Sequence, residues 1–260
     1  MIITFDQINV EIHFDSYPKR IISIVPSQTE LLYDLGLEDE IIGITKFCIH
    51  PNNWFRSKKR IGGTKNLHID EIKALHPDLI IANKEENTRE QAEAIRKFCP
   101  VWTSDISNLE EALDMIREIG RITNKTAQGN QMADKIAASF KAIPEIRNTL
   151  PAAYLIWKDP YMTVGGDTFI HHMMQHGGLE NVFEKEKRYP VITLKDLIEK
   201  SPQIILLSSE PYPFKEKHIT ELTMQMPEAK ILLVNGEMFS WYGSRLLKSA
   251  TYFCDLKTQY

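Results

Sequence analysis

Arg20-Ile-Ile-Ser-Ile-Val-Pro-Ser-Gln-Thr-Glu-Leu31 changes its periodicity in the middle, and the change decides the fold. Ile21, Ile22, Ile24 and Val25 form a short β-branched run, the composition of a strand buried on both faces. Pro26 then fixes its own φ and opens a turn. Ser27 and Glu30 stand three apart, the spacing of a capping box, which predicts a helix from Ser27 with the two residues answering each other's amides. Leu31, Leu32 and Leu35 supply its apolar stripe, and Gly36 supplies the left-handed residue that ends it. Ile41-Ile-Gly-Ile-Thr45 follows as a second strand. Strand, helix and strand in so short a span predict a parallel β-α-β unit.

The same alternation runs outward. Helices are expected near Ile69–Leu75, Thr88–Phe98 and Asn108–Ile122, and strands at Leu79–Ala82 and Val101–Thr103. Asn124 reads as the N-cap of a long helix to about Ile146, although Gly129 weakens it and Pro144 should end or kink it. After Pro151 the pattern restarts with strands at Ala153–Trp157, Met162–Val164, Ile204–Leu207 and Ile231–Val234. Helices are expected from Asp167 or Thr168, over Leu194–Lys200, near Glu216–Met224 and from about Ser244. The expected fold is α/β: two α/β lobes with mainly parallel sheets, residues 1–123 and 148–260, joined by a single long α-helix over 124–147. A helical connector resists the wide opening that flexible connectors permit.

Composition excludes several classes. The chain has 260 residues, 43% hydrophobic and 25% charged, with a formal net charge of −4. That balance predicts no general affinity for nucleic acid or anionic membrane. Arg56-Ser-Lys-Lys-Arg60 is a short basic run, read as a solvated loop. Cys48, Cys99 and Cys254 are odd in number and widely spaced, which suits neither a disulfide framework nor a C-x-x-C metal site. No apolar run reaches the roughly 20 residues of a membrane span, and no signal peptide is read at Met1-Ile-Ile-Thr-Phe-Asp, so a cytoplasmic location stays open. No nucleophile elbow, phosphate loop, dinucleotide fingerprint or zinc-protease helix is present, so no enzyme chemistry is expected.

Three stretches in order carry a resemblance: residues 20–31, Ile72-Lys-Ala-Leu-His-Pro-Asp-Leu-Ile-Ile-Ala82 and Ser240-Trp-Tyr-Gly-Ser-Arg245. Met162-Thr-Val-Gly165, Gly177-Gly-Leu-Glu-Asn-Val-Phe183 and Ser201-Pro-Gln-Ile-Ile-Leu206 agree with them. The chain resembles the helical-backbone (class III) substrate-binding proteins of ABC importers, most of all their cobalamin-receptor branch. The resemblance implies two lobes on one long helix, a ligand held in the cleft at the carboxyl ends of the strands, a periplasmic location, an ABC permease as partner and no catalysis. A monomer is expected.

The expected ligand is a metal chelate such as cobalamin, haem or a ferric siderophore. Strand-end loops offer Ser27, Phe47, Lys65, Lys84, Trp157, Tyr161, Met162, Trp241, Tyr242 and Arg245 as candidate contacts. Their aromatic rings suit a flat macrocycle, and Lys46, Lys65, Lys84, Lys158 and Arg245 suggest a positive cleft for an anionic ligand. Where the cobalamin branch has tryptophans, Thr64 and Asn83 stand. The family docks on its permease through a glutamate on each lobe, and the matching positions here hold Asp70 and Lys195, a cation that would repel the permease's arginines.

Other chemistries stay open. His172 and His176 lie four apart, and Cys48 with His50 form a second donor pair, although no full metal-ligand set can be assembled. A divalent-metal receptor or a cytoplasmic metallochaperone or enzyme reusing the fold are the alternatives. Gly165-Gly166 before a helix reads as a tight turn in preference to an anion nest.

Overall fold

The computed structural model describes residues 1–144 and 148–260 and divides into two compact units. The first comprises Met1–Ile106, Glu110–Lys135 and Tyr242–Arg245; the second comprises Ser107–Leu109, Ile136–Trp241 and Leu246–Tyr260.

Chain order opens with β1 (Ile2–Phe5) and β2 (Glu11–Phe14), an antiparallel hairpin in which Asn9 takes a positive φ of 62°. Then come β3 (Ile21–Ser23), α1 (Pro26–Asp34), β4 (Ile41–Ile44), α2 (Asn52–Ser57) and β5 (Lys59–Arg60). A small antiparallel ribbon of β6 (Gly62–Gly63) and β7 (Asn66–Leu67) precedes α3 (Ile69–Ala74), β8 (Leu79–Asn83), α4 (Arg89–Arg96) and β9 (Val101–Ser104). Two long helices follow, α5 (Leu109–Ile122) and α6 (Thr126–Lys141).

In the first unit a five-stranded sheet runs β5-β4-β3-β8-β9, with every pairing parallel. All five residues of β8 are buried, as a central parallel strand covered on both faces must be. Ile22, Ile24, Val25, Ile80, Ile95 and Val101 pack together as its core. The outer edge of β9 is not left open: the Gln7 amide donates to the Thr103 carbonyl at 3.1 Å, and the Thr103 amide donates to Asp6 at 3.2 Å. The N-terminal hairpin thereby protects an edge strand, a role its short alternating strands did not announce in the sequence.

Two helix ends differ from expectation. At α1 the N-cap is Val25, no side chain caps it, and Pro26 occupies the first turn, where its missing N–H costs nothing. Ser27 and Glu30 make no capping box because the Glu30 carboxylate is taken by an arginine far along the chain. Gly36 does end the helix, with φ +77°. Asn124 does not start α6. Its φ of 60°, its amide bond to Arg121 and the Lys125 amide bond to the Gly120 carbonyl make it the left-handed residue that closes α5. The expected end of the second helix, Ile146, lies outside the described residues. Gly129 has a packing reason: a Cβ there would sit 3.0 Å from the Ile116 carbonyl and 3.1 Å from the Gly120 Cα, so the glycines let α5 and α6 approach closely.

The second unit continues with β10 (Leu150–Leu155), β11 (Tyr161–Met162), α7 (Phe169–His176), β12 (Leu179–Asn181), β13 (Val191–Ile192) and α8 (Leu194–Lys200). It ends with β14 (Ile204–Ser208), α9 (Glu216–Gln225), β15 (Lys230–Val234), α10 (Glu237–Ser240) and α11 (Leu246–Lys257). Its main sheet runs β12-β10-β14-β15, again parallel throughout. Thr168 caps α7 by accepting from the His171 amide, and Thr193 with Asp196 forms a full capping box on α8. Gly165 and Gly166 are a tight crossing: their amides donate to the carbonyls of Arg188 and Glu186, and a Cβ on either would collide with that segment's backbone. Those amides are used, so they form no anion nest.

Candidate functional site

Ligands in open parallel sheets sit beyond the carboxyl ends of the strands, so each unit presents its own set of strand-end loops. In the first unit these loops are tied by buried amides and hydroxyls. Asn87 is the hub: its Oδ1 accepts from the Asn83 amide at 2.9 Å, and its Nδ2 donates to the carbonyls of Ile24 at 3.2 Å and Thr64 at 2.9 Å. One side chain thus joins the loops after β3, β6 and β8. Asn83 in turn donates to Ser104 and accepts from the amides of Glu85 and Glu86. Thr64 and Asn83 are both buried, so neither presents a side chain where the cobalamin branch has tryptophans.

Cys48 is fully buried, with its Sγ 3.1 Å from the hydroxyls of both Thr29 and Thr45. Burial pushes the thiol pKa up, and those hydroxyls offset it only in part, so the sulfur stays protonated. On the same loop Phe47 is 52% exposed and Ile49 is exposed beside it. The Phe47 ring lies over Gly63, where a Cβ would come within 3.1 Å of it, and Lys46 Nζ sits 5.1 Å from the ring centroid. Lys65 and Lys84 are exposed, and Lys84 is paired with Asp105 at 2.5 Å.

Segment Tyr242–Arg245 belongs to this unit. Arg245 is 7% exposed and donates through Nε and Nη2 to the two Glu30 oxygens, each at 2.8 Å. That fork–fork geometry is the strongest ion-pair arrangement available to the two groups. Gly243 lets the segment lie against α1, since a Cβ there would stand 2.9 Å from the Ser27 carbonyl. Ser27 and Tyr242 are buried. The Arg245 fork that the sequence offers to an anionic ligand therefore already holds a carboxylate of the protein.

In the second unit the loops are joined by rings. Trp157, 40% exposed, meets Tyr212 edge-on at 5.6 Å; Tyr212 meets Phe214 at 4.8 Å and His218 at 5.6 Å. His218 Nδ1 accepts from the Lys215 amide at 2.8 Å, and burial with Lys158 and Lys217 nearby lowers its pKa, which keeps it neutral. Glu210 fixes the next loop: its Oε1 accepts from Ser240 Oγ at 2.8 Å and from Trp241 Nε1 at 3.0 Å. Trp241 is consequently buried and anchored. Lys158 is paired with Glu221.

Register separates the remaining candidates. Tyr161 lies opposite Ile192 and packs on the core, whereas Met162 lies opposite both Val191 and Trp157. Neighbouring strand residues point to opposite faces, so Met162, Val191 and Trp157 share the face turned away from that core. Val191 is 60% exposed and was not among the sequence candidates. A lone valine beside Pro190 carries no signal until its strand partner is known.

His172 and His176 pack edge-on at 5.0 Å. His176 Nε2 is buried without a hydrogen-bond partner, and burial, then His172 and Lys257, lower its pKa to about 4. Among the described residues no three His, Cys, Asp or Glu side chains come together as a metal site. No helix among them is long and apolar enough to cross a membrane. Asp70 on α3 and Lys195 on α8 are exposed, and Lys195 lies 3.6 Å from Glu199.

A family model described as periplasmic binding protein matches residues 21–229. A vitamin B12-binding protein of Vibrio campbellii (strain ATCC BAA-1116) is 27% identical over 195 residues, 73% of this chain and 70% of its own. The solved periplasmic vitamin B12 binding protein of Vibrio cholerae superposes with a TM-score of 0.76 at 20% identity, over 94% of this chain and 98% of that one. A periplasmic heme-binding protein from Roseiflexus sp. RS-1, in its apo form, does so at 0.77 and 18% identity, over 92% and 99%. At such identities the two structures share the fold.

Proposed function

The chain belongs to the periplasmic binding protein family, and on that premise we propose that it is the solute-binding component of an ABC-type uptake system and holds a metal chelate: a corrinoid, haem or a ferric siderophore. One observation carries the reading. Phe47 and Trp157 are exposed on strand-end loops, while Trp54, Trp102 and Phe239 are wholly buried. Exposed rings at the carboxyl ends of parallel strands are binding surface in this architecture. The printed names of the relatives support the ligand class.

The protein acts by capture and release, without turnover. The strand-end loops of each unit carry their own candidate contacts: Phe47 and Ile49 in the first, Trp157 and Met162 in the second. Exposed Asp70 on α3 is the docking contact toward a permease; on α8, Lys195 with its Glu199 neighbour replaces an acidic contact with a rebuilt one. The family description, periplasmic binding protein, supports a site of action outside the cytoplasmic membrane. Absorbance and calorimetric titration of the purified chain with cyanocobalamin, haemin and a ferric trihydroxamate tests the reading. Saturable one-to-one binding to at least one of them, with the chelate recovered unchanged, is expected. Silence toward all three together with tight zinc or manganese uptake would replace it with a metal receptor.

A further inference from the structure

The charges on the strand-end loops do not add up to a positive surface. In the first unit Lys84 is matched by Asp105, the guanidinium of Arg245 is bound at both nitrogens by Glu30, and Glu85 and Glu86 stand on the same loop as Lys84. Lys46 lies over the Phe47 ring and Lys65 is exposed, two cations that Glu85 and Glu86 equal in number. In the second unit Lys158 is matched by Glu221 and followed by Asp159, and Glu210 occupies the loop after β14. A cation with a carboxylate at contact distance presents a dipole to an arriving ligand. Its field falls off faster than that of a charge and is further screened by salt.

Beside these charges the loops carry apolar groups. Phe47 and Ile49 stand out from one loop of the first unit, and Trp157, Met162 and Val191 form the in-register row of the second. Val191 has two β-branched methyl groups in solvent at 60% exposure, on a strand whose next residue, Ile192, is in the core. A single exposed valine in a strand is ordinary; what sets Val191 apart is its register with Met162 and, through it, Trp157.

Resting on the chelate-binding reading, we infer that the ligand is a chelate of low net charge with a broad apolar face, and that Val191 with Met162 and Trp157 is the surface that selects it. A polyanionic chelate such as a ferric tris-catecholate would meet carboxylates at least as numerous as the cations on these loops, and is disfavoured. Affinity should therefore come from area, with a weak dependence on ionic strength.

The test is a titration of the full chain with neutral cyanocobalamin, a neutral ferric trihydroxamate and a trianionic ferric tris-catecholate, at about 0.05 and 0.5 M salt. Expected is at least about tenfold preference for a neutral chelate, with its affinity changing less than about threefold across that salt range, and a loss of about tenfold or more in Val191→Glu. Tightest binding of the tris-catecholate with a steep salt dependence overturns the inference and leaves chelate binding standing, as does a neutral chelate whose affinity Val191→Glu does not alter. Nile red, a neutral apolar dye, reads the row without any chelate. Its emission should rise severalfold on the wild-type chain and much less on Val191→Glu, and no rise overturns the inference even if all three chelates fail to bind, a failure that falls on the functional reading.

Discussion

The strand-end loops of the two units are held by different physics. In the first unit they hang on buried polar side chains: Asn87, Asn83, Ser104 and the Thr29–Cys48–Thr45 cluster, with the Glu30–Arg245 pair beneath. In the second a run of rings from Trp157 through Tyr212 to Phe214 and His218 does most of this, with Glu210 holding the Ser240–Trp241 loop. Directional bonds fix position sharply and fail sharply when a partner is removed, because the orphaned group remains buried. Ring contacts are broader in geometry and lose energy in proportion to area. The first unit should therefore be the brittle one and the second the tolerant one.

Arg245→Leu should show the largest effect, about 3–5 kcal/mol by denaturant unfolding, since it strands the Glu30 carboxylate in a buried site. A loss below 1 kcal/mol would mean that water reaches Glu30 and that the pair is superficial. Asn87→Ala comes next, at about 3 kcal/mol, because it leaves the Ile24 and Thr64 carbonyls and the Asn83 amide without their partner. The ring-based unit is expected to absorb Phe214→Leu at about 1 kcal/mol, and a cost equal to that of Asn87→Ala would erase the contrast.

Acid should reach the second unit through His176. Its folded pKa of about 4 lies below the ordinary 6.5, so the unfolded chain takes up the proton first as pH falls. The contribution is intact above about 6.5 and is lost progressively down to about 4, so the melting temperature should decline across that window, less in His176→Gln. Trp157→Ala should cost about 1 kcal/mol in stability, from the lost edge-on contact with Tyr212, and its larger effect should appear in ligand affinity.

Much of the fold can be read from residues 20–45 and their repeats, because buried parallel strands need β-branched runs and helix caps need particular side chains. Thr88, Thr168 and Gly36 act where their chemistry predicts. What local patterns could not give were pairings. Glu30 looks like a capping residue until Arg245, 215 positions away, claims it. Asn124 looks like a helix start because asparagine serves both caps and left-handed turns, and only the Lys125 bond to Gly120 decides between them. Among the candidate site residues, Phe47 and Trp157 are exposed on loops, whereas Trp241 and Arg245 are held by Glu210 and Glu30. Val191 escaped notice because its meaning comes from Met162 across the ribbon.

The most direct test is hydroxyl-radical labelling, read residue by residue by mass spectrometry, with and without saturating cyanocobalamin or haemin. Phe47 in the first unit, and Trp157, Met162 and Val191 in the second, are the positions whose labelling a chelate bound at the strand ends should reduce. Met224, 74% exposed on α9, should label equally in both states. Unchanged labelling at those four positions with a bound chelate, or protection confined to other surfaces, would contradict a binding site at the strand ends.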